Sequence, residues 1–331
     1  MKDVAREAGV SIGTVSHFLN NRRVRPDAET KIKAAIKKLQ YVRNNTARDL
    51  KTKASRYVVF VLPTVWSPYF SELTFWIQKQ LDEYGYQAIL CISENDYHKE
   101  ASFVTMAAEQ RVAGIISVSY SDLTKHVHSN IPLVSIEKEE TGLFPLISSD
   151  NYSGGQLAAK ELQKHGASKL LFIGPDHETS TAMTSRKSGF VDYCNQVGLE
   201  YELNEVPSSH ERTQLNKQLA KIIQTIKSTP TNFGKIGVFS YTDEVALRLL
   251  NELTTNTISV PNDVQIIGFD GWQVSEQLSA AISSIRQPIK EIAVQAVQEL
   301  DNQIKGITEN KAPRIMLPIS FHEGNTTKNR I

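Results

Sequence analysis

The sequence predicts a small three-helix unit followed by a larger α/β body, and two observations lead to this fold class. First, residues 1–56 carry 14 Lys and Arg against 5 Asp and Glu, whereas the remaining residues carry 23 against 31. Second, apolar strand-like runs alternate with amphipathic helical segments from residue 57 onwards. Alternation of this kind is typical of parallel sheets covered by helices on both faces.

The composition excludes several classes of protein. No apolar run reaches the roughly 18 residues that a membrane-spanning helix needs. The opening MKDVAREAGV carries acids and no long apolar stretch, which is unlike a secretory signal. Cys91 and Cys194 lie far apart in the chain and predict buried thiols rather than a disulfide framework. We therefore expect a soluble cytoplasmic protein without a cofactor.

The stretch AGVSIGTVSHFLN, residues 8–20, allows two interpretations. Its GVSIG segment fits the G-x-S-x-G pattern of a hydrolase nucleophile elbow, with Ser11 as the nucleophile. Such an elbow needs a strand before the serine. The preceding DVAREA instead places Val4, Ala5 and Ala8 on one face of a helix. The helix-turn-helix interpretation therefore explains more of the stretch than the enzyme interpretation does.

Three short helices are predicted in the basic segment. The first spans about residues 2–8, and Gly9 suits its left-handed end. Ser11 suits the N-cap of the second, whose apolar residues are Val15, Phe18 and Leu19. Pro26 suits the first turn of the third. The core stripe of the third helix is predicted to be Ile32, Ala35, Ile36 and Leu39. A polar second helix on such a core is typical of a DNA-reading unit.

The segments DVAREAGVSIGTVSHFLNN, KIKAAIKKLQYVRN and NTARDL closely resemble the headpiece and hinge of the lactose-repressor (LacI/GalR) family of transcription regulators. A looser resemblance covers the rest of the chain. It implies a sequence-specific repressor that binds near-palindromic double-stranded operator DNA. It also implies a periplasmic-binding-protein-like body of two doubly wound parallel-sheet lobes, gated allosterically by a small effector.

The resemblance implies that the helix SIGTVSHFLN enters the major groove. Ile12 and Gly13 match the positions that set operator preference, and Ile12 can touch a thymine methyl group. His17 stands where the family usually carries an arginine for guanine, which predicts a shifted or relaxed base preference. Ser11, Thr14, Ser16 and Asn20 complete the predicted DNA-binding residues of this helix. For the last three, phosphate contact and ordinary helix-surface hydrogen bonding both remain open.

Residues 44–53, NNTARDLKTK, resemble the hinge helix of the family. Asn44 suits its N-cap, and Ala47 and Leu50 share one face. The resemblance implies that Leu50 wedges into the minor groove at the operator centre. The alternative is a leucine packed on the body. Arg43 stands where the family usually has a proline.

The body is predicted to form two open sheets. Its strand-like runs are YVVFVLP, YQAILCI, AGIISVS, IPLVSIE, LISSD, KLLFIG, KIGVFS, VQIIGFD and a final RIMLPISF. Its predicted helices span residues 69–84, 99–111, 151–165, 183–197, 242–253 and 289–304. The predicted domains are a headpiece (1–43), a hinge and linker (44–56) and an effector-binding and dimerisation domain (57–331), with one lobe at about 57–161 and 289–318 and the other at about 162–288 and 319–331.

A ligand is expected between the lobes, at the carboxyl ends of their strands. No phosphate-binding loop or G-x-G-x-x-G follows a strand, which argues against a nucleotide enzyme. The family's inducer pocket matches Tyr69, Phe70, Asp150, Arg186, Tyr241, Asp243, Asp270, Trp272 and Gln287. Such acids, arginine and glutamine bind hydroxyls, and aromatic faces cover a sugar ring. The implied effector is a saccharide or sugar phosphate.

Several points about this pocket and the partners remain open. Asp150 and Asp243 also sit where helix N-caps belong, and Thr242 stands where the family often has an asparagine. A homodimer is expected, because one headpiece reads only half of a symmetric site. The alternative function is a catabolite-control-type regulator whose acidic body binds a phosphocarrier protein corepressor. The pair His126 and His128 predicts a solvated loop rather than a zinc site, so no metal is expected.

Overall fold

The structure is a computed structural model, and it describes residues 1–20, 22–41, 55–118, 131–138, 143–175, 181–207, 212–229, 234–272, 280–307 and 312–327. The chain divides into two compact units, residues 1–55 and 56–331. The predicted hinge residues Asn44, Ala47 and Leu50 lie outside the described residues, as do His126 and His128. None of the helices in the described ranges is long and apolar enough to cross a membrane.

The first unit contains three helices, α1 (Lys2–Ala8), α2 (Ile12–Leu19) and α3 (Pro26–Lys38). Gly9 ends α1 at a φ of 63°, in the left-handed conformation that glycine adopts without strain. Ser11 caps α2, because its Oγ accepts from the backbone N–H of Thr14 at 3.0 Å. Ser11 therefore follows a helix, and the nucleophile-elbow interpretation lacks the strand that it requires.

One apolar cluster joins these three helices. Its buried members are Val4, Ala5, Ala8, Val15, Ile32 and Ala35, with Phe18, Leu19 and Ile36 packed against them. The sequence-based assignment of Leu39 to this core is wrong, because Leu39 is the cap residue after α3 and is 41% exposed. The apolar spacing that faces the core ends with the last turn of the helix.

The second unit alternates strands with helices as predicted. Its elements in chain order are β1 (Tyr57–Leu62), α4 (Pro68–Glu83), β2 (Gln87–Ile92), α5 (Tyr97–Glu109), β3 (Gly114–Ser117), β4 (Leu133–Ile136), β5 (Leu146–Ser149), α6 (Asn151–Lys164), β6 (Ala167–Pro175), α7 (Thr181–Val197), β7 (Glu200–Val206), α8 (Arg212–Ser228), β8 (Lys235–Ser240), α9 (Asp243–Thr255), β9 (Val264–Asp270), β10 (Ser283–Arg286), α10 (Ile289–Ile304), β11 (Arg314–Leu317) and β12 (Ser320–His322).

These strands form two six-stranded sheets, which confirms the predicted two-lobed α/β body. The first sheet has the order β11-β5-β4-β3-β1-β2 and the second β12-β10-β9-β8-β6-β7. Neighbouring strands are parallel throughout, except that β12 pairs antiparallel with β10. The inner strands are buried almost continuously, as in β3 and β4, because helices cover both faces of each sheet.

Three elements of the second lobe were not predicted. Strand β7 reads EYELNEV and is an edge strand, so acids alternate with apolar residues and no continuous apolar run marks it. Helix α8 and strand β10 were also missed. The final run RIMLPISF is two strands, because it breaks after Leu317 and β12 joins the other sheet.

The chain passes between the two sheets three times: after β5, after β10 and after β11. The crossings are tied to one another. The backbone N–H of Asp150 donates to the carbonyl oxygen of Leu317 at 2.8 Å, which joins the first crossing to the third. The Oγ of Ser149 donates to Oε1 of Gln287 at 2.7 Å, which joins the first to the second.

Helices α6 and α7 approach each other backbone to backbone at two glycines. A Cβ atom on Gly155 would lie 2.0 Å from the carbonyl oxygen of Arg186, and one on Gly189 would lie 2.0 Å from that of Tyr152. No side chain fits at either position without moving a helix. The motif R-x-x-G-F therefore contains both Arg186 and Gly189, the glycine that allows α7 to pack closely against α6.

We expect Gly189→Ala to lower the free energy of unfolding by about 2 kcal/mol or more, because the added methyl group meets backbone that cannot turn aside. Urea unfolding followed by circular dichroism measures the change. Ser188→Ala, at the exposed neighbouring position on the same helix, serves as the control and should stay within about 0.5 kcal/mol of the parent protein. An unchanged Gly189→Ala midpoint would contradict this account of the helix contact.

Candidate functional site

The outward face of α2 is the candidate surface of the first unit. Ile12 is 47% exposed, and Gly13 and His17 are exposed on the same helix. A Cβ atom built on Gly13 would meet only the Oγ of Ser11, at the ordinary contact distance of 3.6 Å. The fold therefore does not require glycine at position 13. The residue type at this position is left to the binding partner of α2.

The other candidate residues of α2 bond to one another. The hydroxyls of Ser11 and Thr14 lie 2.8 Å apart. The side-chain Nδ2 of Asn20, the residue that ends α2, donates to the carbonyl oxygen of Ser16 at 2.8 Å. These bonds satisfy the helix ends locally, so phosphate contact by Thr14, Ser16 and Asn20 stays a prediction.

Arg186 lies at the centre of a polar cluster where the carboxyl ends of strands from both sheets meet. Its Nε donates to Oδ1 of Asn151 at 2.8 Å, and its Nη1 donates to the carbonyl oxygen of Tyr241 at 2.7 Å. The guanidinium carbon lies 3.5 Å from the centre of the Phe269 ring. No described residue accepts a hydrogen bond from Nη2.

Asp270 faces the same cluster from the end of β9. Its φ of 122° is strained for a residue other than glycine. Its Oδ1 accepts from Nε2 of Gln287 at 2.6 Å. Burial raises the pKa of Asp270 to about 6, against the lowering effect of the nearby Arg186 charge. Among the described residues, Oδ2 has no donor and the two charged groups form no direct ion pair.

Asp243 has both oxygens occupied. Its Oδ1 accepts from the Oγ of Ser284 at 2.6 Å, and its Oδ2 accepts from the backbone N–H of Trp272 at 2.7 Å. A Cβ atom on Gly268 would lie 2.1 Å from Oδ1. Burial and the charge of Asp270 raise the pKa of Asp243 well above its ordinary value. Asp243 thus fixes the loop after β9, while the N-cap of α9 is the preceding Thr242.

The remaining predicted residues are placed differently from one another. Asp150 caps α6, since it accepts from the backbone N–H of Ser153 at 3.0 Å. Tyr69 and Phe70 are buried at the start of α4, with ring centres 5.1 Å apart. Trp272 is half-buried beside the cluster. The structure therefore brings Arg186, Asp270, Gln287, Tyr241, Asp243 and Trp272 together most closely.

Three residues of the cluster were missed. Phe269 and Asn151 directly adjoin predicted residues, and their positions next to strand ends were the available signal. Glu137 follows β4 with a positive φ of 63° and is 6% exposed. Its oxygens accept from the backbone N–H of Ser149 at 2.7 Å and from Nδ2 of Asn151 at 2.8 Å. A lone acid after an apolar run gave no sign of these contacts.

Within the described part of the chain, the cluster presents a donor and an acceptor without partners beside an aromatic ring, which suits a ligand that carries neighbouring hydroxyl groups. Within the described ranges, no group of three His, Cys, Asp or Glu side chains is placed to hold a metal ion. Cys91 and Cys194 are buried free thiols, and burial raises the pKa of Cys194 to about 11. A thiol held in this state is a poor nucleophile.

Comparison with known proteins assigns both units. Residues 1–44 match the family described as bacterial regulatory proteins, lacI family, and residues 159–327 match the periplasmic binding protein-like domain. The sucrose operon repressor of Streptococcus mutans is 30% identical over 329 residues, which cover 98% of each chain.

Two solved structures share the fold. A periplasmic binding protein/LacI transcriptional regulator from Alkaliphilus metalliredigens, complexed with D-xylulofuranose, is 29% identical with a TM-score of 0.72, over 83% of this chain and 100% of that one. The Lac repressor dimer bound to operator and the anti-inducer ONPF is 20% identical with a TM-score of 0.81, over 98% of each chain.

We expect Asp270→Asn to raise the melting temperature near neutral pH. With a pKa of about 6 against an ordinary 3.8, the folded state binds the Asp270 proton more tightly than the unfolded state does. Stability contributed by this group is therefore lost as the pH rises from about 4 through about 6. Asparagine removes that loss, so the gain should be roughly 2 °C near pH 7.5 and should shrink towards pH 4.5.

Thermal unfolding across this pH range measures the difference. Glu109→Gln, at an exposed position on α5, is the control and should show no pH-dependent gain. A lower melting temperature for Asp270→Asn near neutral pH would mean that the Asp270 charge stabilises the cluster.

Proposed function

The chain belongs to the LacI family of bacterial regulatory proteins, and from this membership we propose that it is a homodimeric transcriptional repressor of sugar-utilisation genes. It binds a near-palindromic operator through α2 and its hinge, and a small effector in the cleft between the lobes changes its affinity for DNA. The observation that carries the effector part is that Arg186 Nη2 and Asp270 Oδ2, beside the Phe269 ring, have no hydrogen-bond partner among the described residues.

In the DNA-binding part, Ile12, Gly13 and His17 read bases from the exposed face of α2. Exposure of Ile12 and the absence of a structural need for Gly13 support this assignment. An imidazole can donate to guanine N7 or O6 but lacks the two-pronged fork of arginine. Thr14, Ser16 and Asn20 contact phosphates, and Ser11 is a further DNA-binding residue at the start of α2. Asn44, Ala47 and Leu50, outside the described residues, form the hinge that enters the minor groove.

In the effector part, Arg186 and Asp270 bind the hydroxyl groups of a saccharide, with Gln287 supporting Asp270. Trp272, Tyr69 and Phe70 supply aromatic surface, Tyr241 and Asp243 hold the cluster together, and Asp150 lines its edge.

Charge favours an uncharged saccharide over a sugar phosphate. The described cluster holds the acids Glu137, Asp150, Asp243 and Asp270, whereas Arg186 is the cation at its centre. Arg286, the other nearby cation, is paired with Glu72 at 2.6 Å. A phosphate ester would add negative charge to a buried acidic site, which disfavours its binding.

The partner in the dimer is a second copy of this chain, and a groove of about 850 Å³ between α4 and the edge strand β2 is the surface we assign to it. Phe75 and Leu90 line this groove and are 59% and 43% exposed. Exposed apolar side chains grouped in this way favour an interface. A symmetric operator requires a two-fold protein, and a dimer is the assembly described for the related Lac repressor.

We expect selection from a random DNA pool with the full-length protein to enrich a near-palindrome with a flexible pyrimidine–purine step at its centre. His17→Ala should relax the sequence at one base pair in each half-site, since it removes the imidazole donor proposed to read that base. Lys31→Ala, an exposed lysine on α3 paired with Asp27 at 2.8 Å, is the control and should leave the selected sequence unchanged. Enrichment of a single half-site would contradict the dimer, and an unchanged site for His17→Ala would contradict its reading role.

We also expect a neutral sugar from a panel including sucrose and D-xylulose to raise the melting temperature by several degrees at 1,000-fold excess over its Kd, which corresponds to about 4 kcal/mol of linkage. The phosphate esters of the same sugars should give smaller shifts. Arg186→Lys should abolish the shift, whereas Lys187→Ala at the next position should retain it. A shift with the esters alone would overturn the charge argument. If no sugar acts, a phosphocarrier protein as corepressor is the second candidate.

A further inference from the structure

We propose that Glu137 is a positioning residue of the effector cleft, which sets the Arg186 guanidinium by fixing the side-chain amide of Asn151. The inference rests on the proposed function, in which Arg186 binds the effector. Glu137 acts on Arg186 through Asn151, which donates to Glu137 and accepts from Arg186 Nε.

Glu137 is held in an unfavourable state at the end of β4. Its φ of 63° lies in the left-handed region, where a side chain is strained, and it is 6% exposed. Both oxygens are nevertheless fully engaged. Oε1 accepts from the backbone N–H of Ser149 at 2.7 Å, and Oε2 accepts from Asn151 Nδ2 at 2.8 Å and from the Ser148 hydroxyl at 3.1 Å. A strained, buried acid with a complete set of donors indicates a defined task.

That task follows from the chemistry of the three groups. A carboxylate only accepts hydrogen bonds and a guanidinium only donates them, whereas an amide does one at each end. Asn151 must therefore turn Nδ2 towards Glu137 and Oδ1 towards Arg186, and the contacts have this direction. Nδ2 also donates to the Ser148 hydroxyl at 3.1 Å and to the carbonyl oxygen of Ser149 at 2.9 Å. Glu137 is the charged acceptor of this set, so it contributes most to fixing where the acceptor for Arg186 Nε lies.

The three residues also connect the two lobes. Glu137 follows a strand of the first sheet, and Arg186 lies on α7 beside the second sheet. Asn151 begins α6, directly after the first chain crossing. The position of the ligand-binding guanidinium thus depends on how the end of β4 sits against the start of α6.

The test is Glu137→Gln, which preserves size and keeps an oxygen for the N–H of Ser149. Its new amide nitrogen faces the Asn151 amide nitrogen, so two donors meet. If Asn151 flips to accept from it, Nδ2 then faces Arg186 Nε, again donor against donor. We expect the Kd for the sugar that stabilises the protein, sucrose or D-xylulose, to rise about tenfold or more in calorimetry.

A second readout needs no ligand. The Nε–H resonance of Arg186, assigned by its loss in Arg186→Lys, reports directly on the bond to Asn151. Glu137→Gln should shift or broaden it. Glu161→Gln, a mostly buried acid on α6 that pairs with Lys164 at 3.0 Å, is the matched control and should leave it in place. A resonance unchanged by Glu137→Gln would overturn the proposal.

The double variant Glu137→Gln with Asn151→Asp moves the negative charge one residue along the chain of bonds. The carboxylate introduced by Asn151→Asp then accepts from the glutamine amide and from Arg186 Nε. We expect at least half of the lost affinity, on a logarithmic scale, to return. Full recovery is not expected, because Asn151 Nδ2 also donates to the carbonyl oxygen of Ser149 at 2.9 Å. Simple addition of the two single losses would mean that Glu137 only stabilises the fold.

The two proposals fail in different ways. If neither sugar binds the parent protein, the effector assignment fails, while the Arg186 resonance still decides the role of Glu137. If a sugar binds the parent protein and Glu137→Gln equally well with an unmoved resonance, the effector assignment stands and the role of Glu137 is wrong.

Discussion

Two glycines allow α6 and α7 to lie against each other with no side chain between their backbones. Gly155 meets the carbonyl group of Arg186, and Gly189 meets that of Tyr152. Because the contact is made by backbone atoms, the depth of α7 is set rigidly rather than by adaptable side chains. Arg186 rises from this contact and reaches Asn151 at the start of the other helix. The position of Arg186 in the polar cluster therefore depends on the packing of α6 against α7.

The polar cluster lowers the stability of the folded body. Glu137 and Asp270 adopt strained backbone conformations, and Asp243 and Asp270 are acids whose burial raises their pKa values. A body built for stability alone would place apolar residues here, as it does throughout its sheets. The surrounding apolar cores compensate for this local loss. The two strained residues of the cluster, Glu137 and Asp270, lie at the ends of β4 and β9.

The sequence predicted the structure correctly where a residue type favours one kind of local structure. Gly9 and Ser11 marked the turn between α1 and α2, and continuous apolar runs marked the inner strands. Arg186 was predictable because its motif also contains the glycine of the helix contact. Glu137 was not, because its partners come from β5 and α6 and no local pattern records that contact. The sequence identified Asp243 as a site residue but did not predict its role. Both of its oxygens accept hydrogen bonds, from Ser284 and from the Trp272 backbone.

The three chain crossings make each lobe discontinuous in sequence, with a consequence for synthesis on the ribosome. The sheet that starts with β1 needs α10 and β11, whose residues are made after β6 to β10 of the other sheet; Ile292, Val297 and Leu300 of α10 belong to its core. The first lobe thus stays without part of its core until most of the second has been synthesised. Nascent chains must protect these apolar strands for most of translation. The first unit, by contrast, has every core residue by Tyr41 and can fold early.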